Sequence, residues 1–514
     1  GYSSAASDVY KRQMKNSPRE RTAGQASDSP DETKRRGSLR CTFRRRIGWR
    51  RTRIMCKTRP SFIPASIHMR IQIKPQKTID VFCQICYPVY ADCAATVKVL
   101  KRRKNSMTDK LQEYAQLLIN VGLNVQKDQY VVISSQVDCA YFARMCIAAA
   151  YEAGAKQVIM NWNDDFATRQ YYLNAADEVF DQVFPWEAER PIGLLKKGAC
   201  FLTIAARDPE NLKGVDPERI ARANIASGKA NEEFSIEMMN SAVQWCVASI
   251  PVPSWAKKVF PDLSEEQAME KLWEEIFKAV RITGCGDAVD RWREHCKVLE
   301  EKREKLNAYN FKSLHYTNSL GTDLTVELPE NHIWMAGSEF SKGGVEFVAN
   351  MPTEEIFTAP LRDGVNGKIV ATKPLVDSGN IIDGFHMILK DGVITEVHAE
   401  VGEEFLKKAI TLDEGASRFG EVALVPYDSP ISNSGVLFYN TLFDENASCH
   451  FAFGDSYACI KDGDKMTKEE LKAHGLNDSM THVDFMVGSK DLSIVGTTHD
   501  GKEIKVFENG NFVI

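Results

Sequence analysis

The sequence predicts an α/β N-terminal domain with a parallel sheet, followed by an α+β, mostly antiparallel domain. Three observations predict it. Short apolar runs alternate with amphipathic helical patterns from residue 107 to about 310, strands and glycine-rich turns take over from 311, and a basic segment precedes both. The chain has 514 residues, 43% hydrophobic and 26% charged, enough for two or three domains. This composition excludes collagen-like, disulfide-scaffold and wholly disordered classes. The net charge of −5 joins two unlike parts. Residues 1–106 carry 25 Lys+Arg against 7 Asp+Glu, or +18, whereas residues 107–514 carry 40 against 63, or −23.

Residues 1–60 show no apolar period of either kind, and Arg44, Arg45, Arg46, Arg50, Arg51 and Arg53 form a basic cluster. Such arginines suit a nucleic-acid-binding arm, and an Arg- and Ser-rich, acid-poor start suits a transit peptide. The composition changes directly after Met107, so residues 1–106 are read as a basic extension, non-native or disordered, outside the working protein. Cys83 and Cys86 form a CxxC near Cys93 and His68, but the second half of a zinc ribbon is missing. Of 13 cysteines, five lie in this extension; the other eight are scattered, mostly in apolar stretches such as those of Cys200 and Cys246. That usage reads as reduced, buried thiols in a cytoplasmic protein. No signal-peptide core and no membrane-length apolar run is evident, so no membrane partner is expected.

An amphipathic helix is expected from Lys110 to Ile119. Buried strands follow at 130–135, 158–162, 200–204 and 245–250, with helices at 141–152, 166–172 and 219–240 between them. Strand, helix, strand in this rhythm implies a parallel sheet with right-handed crossovers. No glycine fingerprint follows any strand, and GlyCysGlyAsp (284–287) reads as a helix cap and turn. Nucleotide binding is therefore not expected. The charged helices 265–280 and 288–306 read as solvated faces. From 311, strands at 312–318, 323–328, 367–372, 385–390 and 392–399 alternate in the antiparallel manner, with LysAspGly (390–392) as a hairpin turn. Helices are expected only at 403–412 and 468–474. The domain boundary is placed near 310, giving 107–310 and 311–514.

The ten histidines indicate where chemistry could sit. Most are isolated, His295 among them on a charged helix, but two lie among carboxylates. Glu445 and His450 flank an Asn-Ala-Ser turn that brings a carboxylate and an imidazole to one point, or forms an ordinary Asx turn. His482 and Asp484 share a face if ThrHisValAspPhe is a strand, because side chains alternate with period two. Glu354 and Glu355 are adjacent between Pro352 and Pro360, so in an extended segment only one of them enters a given site. Glu421 follows a glycine and opens an apolar run. Together Glu355, Glu421, Glu445, His450, His482 and Asp484 make a set that suits two divalent metal ions with bridging carboxylates. Oxygen donors with a few imidazoles favour zinc, cobalt, manganese or magnesium. No HExxH is present.

The segments NMPTEEIFTAP (350–360), RFGEVALVP (418–426), FDENASCHFAFGDSY (443–457) and THVDFMVGS (481–489) resemble the signature stretches of the thermophilic metalloaminopeptidase family, the aminopeptidases T and S. The resemblance runs from Met107 to Ile514. It implies a cytoplasmic, two-domain exopeptidase, a homodimer, with a pair of divalent metals in the C-terminal catalytic domain. It implies as metal ligands Glu355, Glu421, Glu445, His450, His482 and Asp484. It also implies catalytic roles for Tyr457, beside the metals, and for Glu354, as a base next to a ligand.

The chemistry expected is metal-dependent release of N-terminal amino acids from peptides with a free N-terminus. Water activated between two metals attacks the scissile carbonyl, Tyr457 steadies the oxyanion, and Glu354 shuttles the proton. The acidic body supplies negative charge for the free α-amine, and the N-terminal domain is expected to restrict access to short peptides. Two alternatives remain at this point. A two-metal phosphoesterase would need basic residues around the metals, and the four motifs offer only Arg418. A nucleic-acid-binding protein would use the basic arm, although a body of −23 repels nucleic acid.

Overall fold

The computed structural model describes residues 106–377 and 380–514, with the backbone of three antiparallel strands at Ile54–Lys57, Ser66–Ile73 and Lys77–Gln84. The readings made on the arginine cluster and on Cys83, Cys86 and Cys93 lie outside the described side chains. The chain divides into two compact units, 1–99 and 100–514.

The second unit is mixed α/β, with one parallel sheet and several antiparallel ones. Strands β1 (Tyr130–Gln136), β2 (Gln157–Asn163), β3 (Cys200–Ile204) and β4 (Trp245–Ala248) run parallel, as the alternation of runs and helices predicts. Helix α1 (Met107–Leu117) is set by a capping box, in which Ser106 accepts from the Asp109 N–H and Asp109 reaches back to Ser106. Helix α2 (Ala140–Glu152) buries Phe142, Ala143, Cys146, Ala149 and Ala150, a stripe at helical spacing packed in the same core as β1. The helix expected over 219–240 is two, Pro217–Ala230 and Glu232–Met239. The break falls at Asn231, whose side-chain amide donates to the Ser227 carbonyl at 3.0 Å.

Helices α3 (Glu265–Ala279) and α4 (Ala288–Tyr309) correct the reading of solvated faces. Leu272, Trp273, Ile276 and Phe277 on α3, and Trp292, Leu299 and Leu306 on α4, are buried. Abundant charge fills the outer face of each helix while apolar residues three and four apart face the core. The GlyCysGlyAsp segment is the turn between them, with Gly284 and Gly286 at positive φ.

Beyond α4, eight antiparallel strands form one sheet, running from Val393–His398 at one edge to Asn511–Phe512 at the other. It contains the five strands expected between 312 and 399, and the 390–392 turn has Asp391 and Gly392 at positive φ. A second antiparallel sheet carries the candidate chemistry. Its strands are β5 (Met335–Ala336), β7 (Ile356–Thr358), β8 (Phe419–Leu424), β9 (His450–Gly454) and β10 (His482–Met486), in that spatial order. The intervening β6 (Asn350–Met351) instead joins the parallel sheet beside β4. Along β9 and β10 the sequences HFAFG and HVDFM alternate. Phe451, Phe453 and Phe485 turn into a core shared with Tyr316 and Ile494 of the eight-stranded sheet, which leaves His450, His482 and Asp484 on the opposite face.

Among the described residues no helix is long and apolar enough to cross a membrane. The eight described cysteines are free thiols, six of them buried.

Candidate active site

Register places the polar residues of the second sheet in one cluster. Glu421 pairs with Ala452, which pairs on its other side with Asp484, so these three form one row across β8, β9 and β10. His450 pairs with Ala423, and His482 with Gly454. Directly paired residues share a face, and the small residues Ala423, Ala452 and Gly454 leave room above the sheet for the longer donors. A bulge between Phe419 and Glu421 aims the latter. Gly420 at that bulge has no space for a side chain, since a Cβ would lie 2.0 Å from the Asp455 carbonyl oxygen. Glu355 enters from the segment before β7.

The donors meet in two groups. Nε2 of His450 lies 3.3 Å from Glu355 Oε2 and 3.4 Å from Glu421 Oε1. Nε2 of His482 lies 3.4 Å from Glu421 Oε2 and 3.3 Å from Asp484 Oδ1. Glu421 thus belongs to both groups, one oxygen to each, and within each group the ligand atoms lie within 4.8 Å of one another. Both imidazoles are oriented from behind. His450 Nδ1 faces the Glu445 carbonyl at 3.0 Å and His482 Nδ1 faces the Asp455 carbonyl at 2.8 Å, so each Nδ1–H donates outward and each Nε2 is turned to the cluster.

Burial and charge make this cluster costly without a cation. The cavity measures about 90 Å³ and is lined by five carboxylates (Glu339, Glu355, Glu421, Glu445 and Asp484) and two histidines, with no Lys or Arg. Desolvation and neighbouring carboxylates push Glu355 and Glu445 up, Glu445 far above the usual range, with Asp484 the strongest source of repulsion on Glu445. Desolvation also works against Glu421, but hydrogen bonds from His450 and His482 prevail and hold it at about 2. Glu445 lines the cavity yet contributes to neither three-donor group; Asn446 Nδ2 donates to its Oε1 at 3.3 Å. Hard oxygen donors and imidazoles around uncompensated buried charge fit divalent cations.

Tyr457 lines the same cavity, its ring 5.5 Å from those of His482 and Phe357. Desolvation and then Glu421 push its hydroxyl well above the usual range, so it stays a hydrogen-bond donor. Glu354, expected as a base next to a ligand, does not line the cavity. As the extended segment requires, it points away from Glu355, and its carboxylate meets Arg281 Nη2 at 2.7 and 2.9 Å and His295 Nε2 at 3.6 Å. Its backbone N–H donates to Asn446 Oδ1 at 2.7 Å. Arg281 and His295 were not legible as site residues, because only the packing of α4 against the ligand-bearing segment brings them to Glu354. Trp245 and Glu339 also line the cavity unforeseen. Arg418 is turned elsewhere, onto Asp363 and the Arg362 carbonyl, so no described arginine serves a phosphate here and the phosphoesterase alternative loses its one candidate.

This geometry gives two candidate metal-donor groups that share one carboxylate. The family model of the thermophilic metalloproteases (M29) matches residues 107–512, and the chain belongs to that family. It is 48% identical over 409 residues to aminopeptidase AmpS of Bacillus subtilis, covering 79% of this chain and 99% of that protein. It is 39% identical to aminopeptidase T of Thermus aquaticus, covering 80% of this chain and all of that one. The solved structure of wild-type AmpT from Thermus thermophilus superposes with a TM-score of 0.74 at 36% identity, over 80% of this chain and 100% of that chain.

Proposed function

We propose that the chain releases N-terminal amino acids from peptides by water attack at a pair of divalent cations held by Glu355, Glu421, Glu445, His450, His482 and Asp484. Membership of the family makes the chain a metalloaminopeptidase. The single observation that carries the two-cation reading is Glu421, whose two oxygens face two separate histidine-containing groups. Zinc, cobalt, manganese or magnesium each suits these donors. Bound there, such ions supply a water that ionises near neutral pH and polarise the scissile carbonyl.

The chain's own groups do the rest. His450 and His482, tautomerically fixed by their Nδ1–H bonds, keep Nε2 available as ligands. Glu445, crowded by Asp484 and Glu355, completes the set. Tyr457 donates its O–H to the oxygen that becomes negative during attack. Glu354 anchors the ligand segment through Arg281.

Residues 107–310 are read as the α/β domain and 311–514 as the catalytic domain. Trp245 of the former lines the cavity, which favours short peptides over folded proteins as substrates. The buried free thiols favour a cytoplasmic enzyme, and the family resemblance favours a homodimer acting on peptides rather than on membrane or nucleic-acid partners. The test is hydrolysis of leucine, arginine and aromatic p-nitroanilides with and without chelator. Cleavage abolished by chelator and restored by a divalent salt supports the reading, and cleavage that ignores chelator overturns it.

A further inference from the structure

The fifth carboxylate of the cavity, Glu339, belongs to neither donor group. It opens the strand Glu339–Phe340, which pairs with Glu346–Phe347 as a short hairpin over the site. The hairpin is pinned at its base. Ser241 accepts the Lys342 N–H on its carbonyl at 2.9 Å, and its Oγ donates to Glu339 Oε2 at 2.6 Å. The hairpin's own cation is engaged elsewhere, since Lys342 Nζ pairs with Glu237 at 3.0 Å. Among the described residues no Lys, Arg or His forms an ion pair with Glu339, and no cation offsets the desolvation of its carboxyl. It is near enough to Glu355 to feel that carboxylate and near enough to Tyr457 to push that hydroxyl upward. Glu339 is therefore an anchored carboxylate on the wall of the reaction site, with one oxygen fixed by a neutral donor and no counter-charge.

Such a group is costly to keep ionised until a cation arrives. With the metals held by the other donors, the remaining cation that must enter an aminopeptidase site is the substrate's α-ammonium, which brings three N–H donors and a single charge. We propose that Glu339, positioned by Ser241, binds the free α-ammonium of the substrate and so restricts the enzyme to N-terminal residues. This rests on the aminopeptidase reading above. The Glu339–Phe340 hairpin then sets how far into the chain cleavage occurs, because the ammonium and the carbonyl under attack belong to one residue and are separated by its α-carbon.

The test uses the full chain loaded with a divalent metal, and two substrates that differ only in the amine: L-leucine p-nitroanilide and 4-methylpentanoyl p-nitroanilide. The wild-type protein should prefer the amine substrate. Glu339→Gln should lower kcat/KM on that substrate by about 50-fold, mostly through KM, as expected for losing one charge-assisted contact. Its rate on the des-amino substrate, its metal content and its Tm should stay unchanged. Ser241→Ala should shift the preference in the same direction but less. A Glu339→Gln protein that keeps the wild-type preference would overturn the proposal, and so would one that loses a metal ion, which would make Glu339 a ligand. A wild-type protein that fails on L-leucine p-nitroanilide, or ignores chelator, would instead overturn the aminopeptidase reading.

Discussion

Both oxygens of Glu421 are committed, one toward His450 and one toward His482, so its loss removes a donor from each group at once. Glu421→Ala is expected to lower the bound metal of both groups and activity by more than about 100-fold, whereas Glu355→Gln and Asp484→Asn each impair one group. Metal per chain, measured beside activity, separates these outcomes. Tyr457→Phe should keep metal content and KM but lower kcat by about 100-fold, the usual cost of one oxyanion donor. His482 and Asp484 were legible because period two in a strand is local, and the register of β10 against β9 bears it out. Glu339 was not, since a glutamate on a hairpin reads as solvated until the fold closes a cavity over it. The surroundings of Glu354 were hidden for a related reason. The sequence says that it opposes Glu355 but not that Arg281 waits on that side.

At the scale of elements, α3 and α4 buttress the ligand-bearing segment. Arg281 lies in the turn between them and His295 on α4, and both meet Glu354, whose side chain is only 5% exposed. Arg281→Met would leave that carboxylate buried and unpaired, so a loss of about 3–5 kcal/mol in urea unfolding is expected, recovered in large part by adding Glu354→Gln. Burial first, and then Arg281, holds His295 down at about 3, so it is neutral in the folded protein at pH values where the unfolded chain is protonated. Its contribution to stability is complete above about pH 6.5 and declines as pH falls toward 3. His295→Gln should therefore unfold with a shallower pH dependence between pH 6.5 and 4 than the wild-type protein. Local pattern gave the helices' positions but not their buried faces, because the abundance of charge masked apolar residues at three- and four-residue spacing. The strands of the parallel sheet were read within a few residues, since each is built on a short apolar run, but β2 at the sheet's edge is half-exposed rather than buried. The entry of β6 into that sheet is a long-range pairing without a local signal.

Across the whole molecule, the parallel sheet contributes Trp245 to a cavity whose donors come from the antiparallel sheet, with β6 leading from one sheet toward Glu355 in the approach to the other. The family match spans 107–512, and the acidic charge of −23 lies in 107–514. A chain beginning at Met107 is accordingly expected to keep the full peptidase activity, checked by kcat/KM on L-leucine p-nitroanilide. In the proposed centre one carboxylate, Glu421, joins two cation sites into a single catalytic unit. Titrating metal-free protein with zinc or cobalt while recording activity and bound metal tests it most directly. Full activity should return only as a second ion binds per chain, and Glu421→Ala should not recover at any metal concentration. Full activity at one ion per chain, or an active Glu421→Ala protein, would contradict it.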